Sequence, residues 1–412
     1  MLMCMLIHSS IAMTKPRILI IFLFLSFSTG CNTGEGDFSY PQQNCLNSPI
    51  NMDIEIFDTM SIDLLSLVSD IKLIRLETTI ESVIGNLHSV IVGEGFIFAV
   101  DEYGYHLFDS TGRFLSKPFL RGRGPDEVVS PVFSPSIRHG RIWFSDSGKS
   151  RGTLFAYEIS SGLIEKIPLY EGWLISNIAI LSDSTLVVMF NRPSIVKDFL
   201  PQGEYFLARF DRNRCMIDSL NLGLQSTVLT GIPSLLITSE EHVFASNSRG
   251  DSLFVLDETG LNLVWRNYLA PFKSSLVESQ RIVSIKPLFI SHDKAIFVRK
   301  GYIIKGIGVG VNTSIKPEFL LVDISSGKLT ILKPYLLGGN YVVHPYNILQ
   351  LDEDRICLIL NPEQLLDYIN QKKSGELCPL FKDLSIERVL SLVTLEDNPY
   401  LVIGRWKPDW PL

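Results

Sequence analysis

One phrase recurs along this chain: an apolar strand, a gap, a second strand ending in an acid and a turn, then a third strand. It reads FIFAVDEYGYHLFDSTGRFLSKPF at 96–119 and RIWFSDSGKSRGTLFAYEISSGLIEKIPL at 141–169. It returns at 205–222, at 242–269 and, in its last clear copy, at 319–336. The turn acids are Asp109, Glu158, Asp211, Asp257 and Asp323, spaced by 49, 53, 46 and 66 residues. A unit of this size cannot bury its apolar face alone, so copies must stack on one another. Alternating apolar residues such as Leu253 and Val255 mark the strands. The turns from Asp109 to Gly112 and from Asp257 to Gly260 join an acid that accepts from backbone amides to a glycine tolerant of positive φ. The acids therefore read as turn formers rather than catalytic groups, and the repeat scale is that of a β-propeller blade.

Five copies leave residues 340–412 over. That stretch holds a strand at 355–360, helical character at 361–373 and a final strand at 399–406. At the other end, Ile71 to Leu76 is a strand with no blade of its own. A propeller whose ring stays open exposes unpaired edges. The expected fold is all-β: a six-bladed β-propeller of four-stranded antiparallel blades over residues 50–412, closed by the N-terminal strand joining the last blade. Seven blades, with 183–230 divided differently, is the alternative.

The first residues follow another logic. Lys15 and Arg17 are the only charges before residue 31, and an apolar run of ten, Ile18 to Phe27, follows. It is too short to span a bilayer, which takes roughly 20 residues. Basic residues, a short apolar run and then small residues form the layout of a secretory signal over 1–30, with Met13 the expected true start. Ser28, Thr29 and Gly30 precede Cys31, which resembles the lipobox of bacterial lipoproteins. That resemblance implies acylation of Cys31, and several acyl chains hold a protein stably on a membrane. Residues 31–49, rich in Gly, Asn, Gln, Ser and Pro, read as a flexible tether.

Hydrophobic residues make up 46% of the chain, enough for a large core. Removing residues 1–30 takes away Lys15 and Arg17 and no acid, so the formal charge moves from −7 to −9. An acidic chain without a basic block argues against nucleic acid as a partner. Beyond Cys4 and Cys31, the cysteines are Cys45, Cys215, Cys357 and Cys378, with no CxxC pair and no zinc-like spacing to His. A Cys357–Cys378 disulfide and four separate buried thiols both remain open. No metal, cofactor or nucleophile motif is legible: there is no HExxH, EF-hand loop or GxSxG elbow, and GIGVG at 306–310 lacks a nucleotide-binding context.

Four short phrases occur in order: Leu67 to Gly85 with its Leu-Glu-Thr and Ile-Gly elements, Phe96 to Asp101, the loop from Gly122 to Glu127, and Asp397-Asn398-Pro399. Behind a lipobox, this series resembles the six-bladed, NHL-like β-propeller lipoproteins of Gram-negative gut bacteria. The resemblance implies architecture and an envelope location, and the acids Glu35 and Asp37 after Cys31 point to the outer membrane as the expected site. It implies no reaction. Val128 stands where that family carries an aromatic residue.

Propeller ligands bind on loops at the channel mouth. Arg121 and Arg123, in a loop with two glycines and Pro125, can present donors to a carboxylate, sulfate or phosphate, with Glu127 beside them. The competing role for this loop is a structural crossover. Asp101 and Asp146 each close a similar strand, FAVD and WFSD, and are expected at equivalent positions near the axis. There they bind a cation or sugar, or else satisfy loop amides. The five tryptophans fill gaps between blades or stack on sugars. The function expected is a lipid-anchored, non-catalytic scaffold for a protein or glycan, without cofactor or metal. The alternatives are a metal-assisted hydrolase or lyase at the channel mouth, and a sensor ectodomain that signals through a partner.

Overall fold

The computed structural model describes residues 67–225 apart from 86, 103, 125, 126, 130–134, 147, 149, 150, 182, 183 and 195–201. It also describes residues 348–351, 355–371 and 393–407, and strand segments between 50 and 63 and between 235 and 342. The signal region, Cys31, the tether, Cys45, Cys378, Pro125, Asp126, the 306–310 run and Trp410 lie outside the described residues.

The chain is an all-β propeller built mainly of antiparallel sheets in which each strand pairs with the next. The first sheet runs Leu87–Gly93, Phe96–Asp101, Tyr105–Asp109 and Phe114–Ser116. The second runs from Ser136–Arg138 to Ile164–Pro168, and the third from Leu174–Ile180 to Met216–Gln225. All three have four strands, as does a C-terminal sheet of Ile348–Gln350, Arg355–Leu360, Tyr400–Trp406 and Val68–Arg75. The N-terminal strand pairs with the C-terminal one from Val68↔Trp406 to Arg75↔Tyr400.

The alternation read from the sequence builds the core. Successive strand residues face opposite sides, so each sheet feeds two apolar layers. In Phe96–Asp101, Phe98 and Val100 pack with Ile142, Phe144 and Phe155 of the second sheet. Ile97 and Ala99 turn the other way, onto Cys357, Ile359 and Leu401 of the C-terminal sheet. Leu154, Ala156 and Ile167 of the second sheet pack on Val188, Phe190 and Ala208 of the third. Val187, Met189 and Leu207 then meet Val243, Ala245 and Leu256 of a fourth sheet, built from Leu235–Ile237, Val243–Ser246, Ser252–Asp257 and Gly260–Arg266. The first strands of neighbouring sheets lie side by side: Leu87–Gly93 with Ser136–Arg138, that with Leu174–Ile180, and that in turn with Leu235–Ile237.

Two sheets depart from the four-stranded expectation. In the fourth, Ile50–Asn51 adds in parallel to the strand Gly260–Arg266. In a fifth, which runs Arg281–Ile290, Lys294–Ile304, Glu318–Asp323 and Leu329–Leu336, the strand Ile56–Asp63 adds in parallel to Leu329–Leu336. The segment before the C-terminal sheet therefore runs as a strap along the outer edges of two sheets before completing a third. Open edges carry unpaired backbone groups, and the strap covers two of them. This pairing has no local sequence signature, because the partner strand supplies the template.

The Asp109 and Asp211 turns behave as read, while those after Asp257 and Asp323 lie outside the described residues. Asp109 Oδ1 accepts from the amides of Thr111 at 2.8 Å and Arg113 at 3.1 Å. Asp211 Oδ1 likewise accepts from the Cys215 amide at 2.8 Å. Gly112, at φ 90°, meets a close neighbour as well: a Cβ there would stand 2.1 Å from the Arg75 carbonyl oxygen. Glu158 differs. Its backbone closes the turn, while its carboxylate accepts from Arg141 at 2.9 Å.

Residues Pro362–Gln371 form the expected helix. Pro at the first helical position costs no hydrogen bond. The Asn361 amide donates to Gln364 Oε1 at 2.8 Å, one half of a capping box. Leu365, Tyr368 and Ile369 are buried. Cys357 is a free, fully buried thiol, which corrects the disulfide option with Cys378. Cys215 is exposed, which corrects the option of four buried thiols.

Candidate functional site

In an up-and-down sheet, alternate connections lie at opposite ends. The connection between second and third strands and the crossover to the next sheet share one end. Asp101, Asp146, the Arg121–Glu127 loop and the residue 394–399 turn all fall in such connections. The connection order therefore puts Asp101, Asp146, Arg121, Arg123 and Glu127 at the same end of their sheets.

The acids are held there by the backbone. Asp101 is buried, and its oxygens accept from the Gly85 amide at 2.7 Å and the Gly104 amide at 2.6 Å. Asp146, also buried, accepts from the Val129 amide at 2.8 Å and the Gly148 amide at 3.1 Å. Each acid thus takes one amide from the crossover leading into its sheet and one from the loop that follows it. Asp101 and Asp146 make matching backbone bonds in their two sheets, and in both places the carboxylate works as a clasp. His106 lies beside the first clasp, Nε2 3.4 Å from Asp101 Oδ1, fully buried between Phe108 and Phe114. Burial lowers its pKa, against the pull of the Asp101 charge.

The glycine-rich loop closes on itself. Leu120 and Arg121 pair in parallel with Glu127 and Val128. Glu127 Oε2 accepts from the Gly124 amide at 2.6 Å, and the Glu127 amide donates to the Gly124 carbonyl at 3.2 Å. A Cβ at Gly122 would stand 2.1 Å from Glu127 Oε2, so the glycine makes room for the carboxylate. Val128 fills the core between the first two sheets. Arg121 Nη1 donates to the Glu102 carbonyl, which ties the loop to the Asp101 turn, and both arginines are exposed. Tyr105 is buried against Phe98 and Phe119, within electrostatic reach of Asp146 and Arg121. Burial raises its pKa, the Asp146 charge adds to the rise, and Arg121 opposes it.

The tryptophans with described side chains fill gaps. Trp143 Nε1 donates to the Arg138 carbonyl at 3.0 Å, and its ring packs between the second and third sheets. Trp173 meets Phe206 edge-on at 4.7 Å, and Trp406 is buried. No group of three or more His, Cys, Asp or Glu is placed to hold a metal among the described residues. Nor, among them, is any helix long and apolar enough to cross a membrane.

Sequence reasoning missed the most heavily bonded cluster at this end. Asn398 Oδ1 accepts from the Ile84 amide at 2.7 Å. Its Nδ2 donates to the carbonyls of Glu77 at 2.7 Å and Ser82 at 2.8 Å. Its own amide donates to Thr78 Oγ1 at 2.8 Å. Asp397 accepts from Arg75 at 2.6 Å, from the Tyr400 hydroxyl at 2.7 Å and from the Thr394 amide at 2.9 Å. Glu77 Oε2 accepts from the Phe114 amide at 2.8 Å. The Leu-Glu-Thr and Asp-Asn-Pro phrases are therefore two halves of one clasp between the beginning and end of the propeller.

Fold and clasps together define a β-propeller whose buried acids at one end are held by the chain's own backbone. The chain belongs to the family described as domain of unknown function DUF4934, whose model matches residues 49–405. Among solved structures it is similar to a protein of Bacteroides fragilis assigned as exported (BF0058). The two share 14% identity and a TM-score of 0.56, over 86% of this chain and 99% of that one. A more distant likeness is YCF48 bound to D1 peptide, with 11% identity and a TM-score of 0.37 over 72% and 93% of the two chains. No curated protein matches the chain in sequence.

Proposed function

We propose that this chain is a lipoprotein of the cell envelope, acylated at Cys31 once residues 1–30 are removed. Residues 50–412 then form a six-bladed, NHL-like propeller that binds a protein or glycan partner without catalysing a reaction. The six-blade reading is supported by four four-stranded sheets together with a five- and a seven-stranded one among the described residues. Ring closure is supported by the packing of Cys357, Ile359 and Leu401 against Ile97 and Ala99. Export is supported by the charge and apolar layout before Cys31 and by the similar exported protein of B. fragilis. The outer membrane is the expected destination.

The observation that carries the binding reading is the use made of the carboxylates. Asp101, Asp146 and Glu127 each bind backbone amides. An acid committed in this way is poorly placed to act as a general base or hold an ion. The guanidinium groups of Arg121 and Arg123, by contrast, stand at the surface of the same end.

Two measurements test this. Replacing Cys31 by Ala is expected to move the protein from the membrane to the aqueous fraction. Retention on the membrane would refute the anchor. In-cell crosslinking of the tagged protein is expected to capture a recurrent partner that Arg121→Ala with Arg123→Ala releases. A protein without any partner, purified with a stoichiometric divalent ion, would favour the metal-assisted enzyme instead.

A further inference from the structure

The Asn398 clasp holds up two turns, and both expose aliphatic side chains. On the first, Ile80 is 96% exposed and Val83 48%. On the second, Leu395 is 71% exposed. Fully exposed large aliphatics need no explanation when scattered singly, but a cluster marks an interaction surface. These belong together, because Asn398 bonds the Ser82 and Glu77 carbonyls on one side and lies three residues from Leu395 on the other.

The turns are rigid. The Thr79 amide donates to Ser82 Oγ at 2.8 Å, and Ser82 Oγ donates to the Glu77 carbonyl at 2.7 Å. The Val83 amide reaches the Thr79 carbonyl at 2.9 Å. In the second turn the Asp397 amide donates to the Thr394 carbonyl at 3.2 Å, while Asp397 Oδ2 accepts from the Thr394 amide. The backbone is thus ordered before any partner arrives, which removes much of the entropy cost of binding.

Charge selects the occupant. Glu81 and Glu396 flank the aliphatic residues and are exposed, and Arg75, the cation tied into the clasp, is held by Asp397. An acidic rim repels anionic headgroups. A second copy of this chain related by a twofold axis would set the same acids against themselves. We infer that the Ile80–Val83–Leu395 surface is a docking site for a protein partner whose contact is an apolar anchor bordered by Lys or Arg. This rests on the scaffold reading and adds a second contact surface at the Arg121 end of the propeller.

The test places photoreactive p-benzoylphenylalanine at position 80 of the full chain in its own cells. The control places it at Leu163, also exposed, on a hairpin turn at the other end. The expected result is one protein crosslinked from position 80 and not from 163, through a peptide with an aliphatic residue beside Lys or Arg. Binding of that purified partner should weaken about tenfold or more in Leu395→Ser and in Glu81→Lys with Glu396→Lys. Thermal unfolding should not change, since these side chains face solvent. Crosslinks only to lipid, only to a second copy or to nothing would overturn the inference, as would a partner indifferent to both variants. A partner released by Arg121→Ala with Arg123→Ala, but never crosslinked from position 80, would sink this surface and leave the scaffold reading standing. Absence of a partner by either route would sink both.

Discussion

Asn398→Ala isolates the clasp that joins the two ends of the propeller. The wild-type side chain, in a residue 1% exposed, satisfies three backbone groups: the Ile84 amide and the carbonyls of Glu77 and Ser82. The Glu77 carbonyl keeps a second donor, the Ser82 hydroxyl at 2.7 Å. Truncation therefore orphans two groups, the Ile84 amide and the Ser82 carbonyl. Each buried orphan costs about 1–3 kcal/mol, and members of one network do not add fully. A loss of about 3 kcal/mol follows, a large share of the ~5–15 kcal/mol that holds a domain folded. Asn398→Asp should be worse. It keeps the acceptor for Ile84 but turns a lone-paired, charged oxygen toward two carbonyls in a buried site. Urea denaturation followed by tryptophan fluorescence gives the order wild type, Ala, Asp in falling midpoint. Proteolysis within residues 77–85 should rise in the same order. If Asp matches wild type, or Ala costs under about 0.5 kcal/mol, the clasp does not hold the ends together and the reasoning fails.

Other consequences can be measured separately. Burial opposes ionisation of Asp397, but the Thr394 amide, the Tyr400 hydroxyl and the Arg75 guanidinium together bring its pKa below the usual carboxylate value. A depressed folded pKa gives stability that is present above the unfolded pKa of about 3.9 and lost as pH falls through the folded one. Asp397→Asn should remove that part of the acid sensitivity, read as a flatter unfolding midpoint between about pH 5 and 2. Burial pushes the Cys357 thiol up to about 12. Iodoacetamide should therefore label Cys215 in the folded protein and Cys357 only on unfolding; rapid labelling of Cys357 in the native state would contradict its burial. Gly112→Ala should cost at least about 2 kcal/mol, since it meets both the positive φ and the Arg75 carbonyl. Gly95→Ala, at φ 83° in open space, should cost about 1 kcal/mol. Equal urea midpoints for the two variants would show that the close approach to Arg75 is relaxed in solution.

What could be read from sequence was whatever is encoded within a strand and its next turn. Ile97 to Val100 alternate between two apolar layers because adjacent side chains face opposite ways, and that is visible in six letters. The Asp109 turn is equally local. The helix at Pro362–Gln371 was legible from its own residues and from Asn361 and Pro362 at its start. The strap was not. Ile56–Asp63 is a strand because Leu329–Leu336 offers it an edge, and nothing in IFDTMSID names that partner. The Asn398 clasp was hidden for the same reason, its bonds spanning more than 310 residues. Its two halves were visible as phrases, without the chemistry that joins them. At the candidate site, the equivalence of Asp101 and Asp146 was legible, and so was their alternative role of satisfying loop amides. Which of their two roles prevailed depended on Gly85 and Val129 arriving within hydrogen-bond reach, and spacing alone does not fix that.

That outcome reassigns where function can reside. Residues that looked chemical in the sequence (Asp101, Asp146, Glu127) are occupied in shaping one end of the propeller. A group already bonded to rigid backbone can meet a ligand only by giving up those bonds, which sets its cost at about the worth of the bonds lost. Side chains that do no such work incur no such penalty. At this end they include the guanidinium of Arg123 and the aliphatic groups of Ile80 and Leu395, all carried on loops that the buried acids and Asn398 hold still. The two kinds of residue are complementary. Changing a clasp should lower stability and, through it, binding by every surface at this end. Changing an exposed group should leave the unfolding midpoint where it is and alter binding alone. Paired measurements of midpoint and partner affinity across Asn398→Ala, Arg123→Ala and Leu395→Ser separate the two classes. If Arg123→Ala or Leu395→Ser lowers stability as Asn398→Ala does, the exposed residues are part of the frame, and this end of the propeller has no surface set aside for a partner.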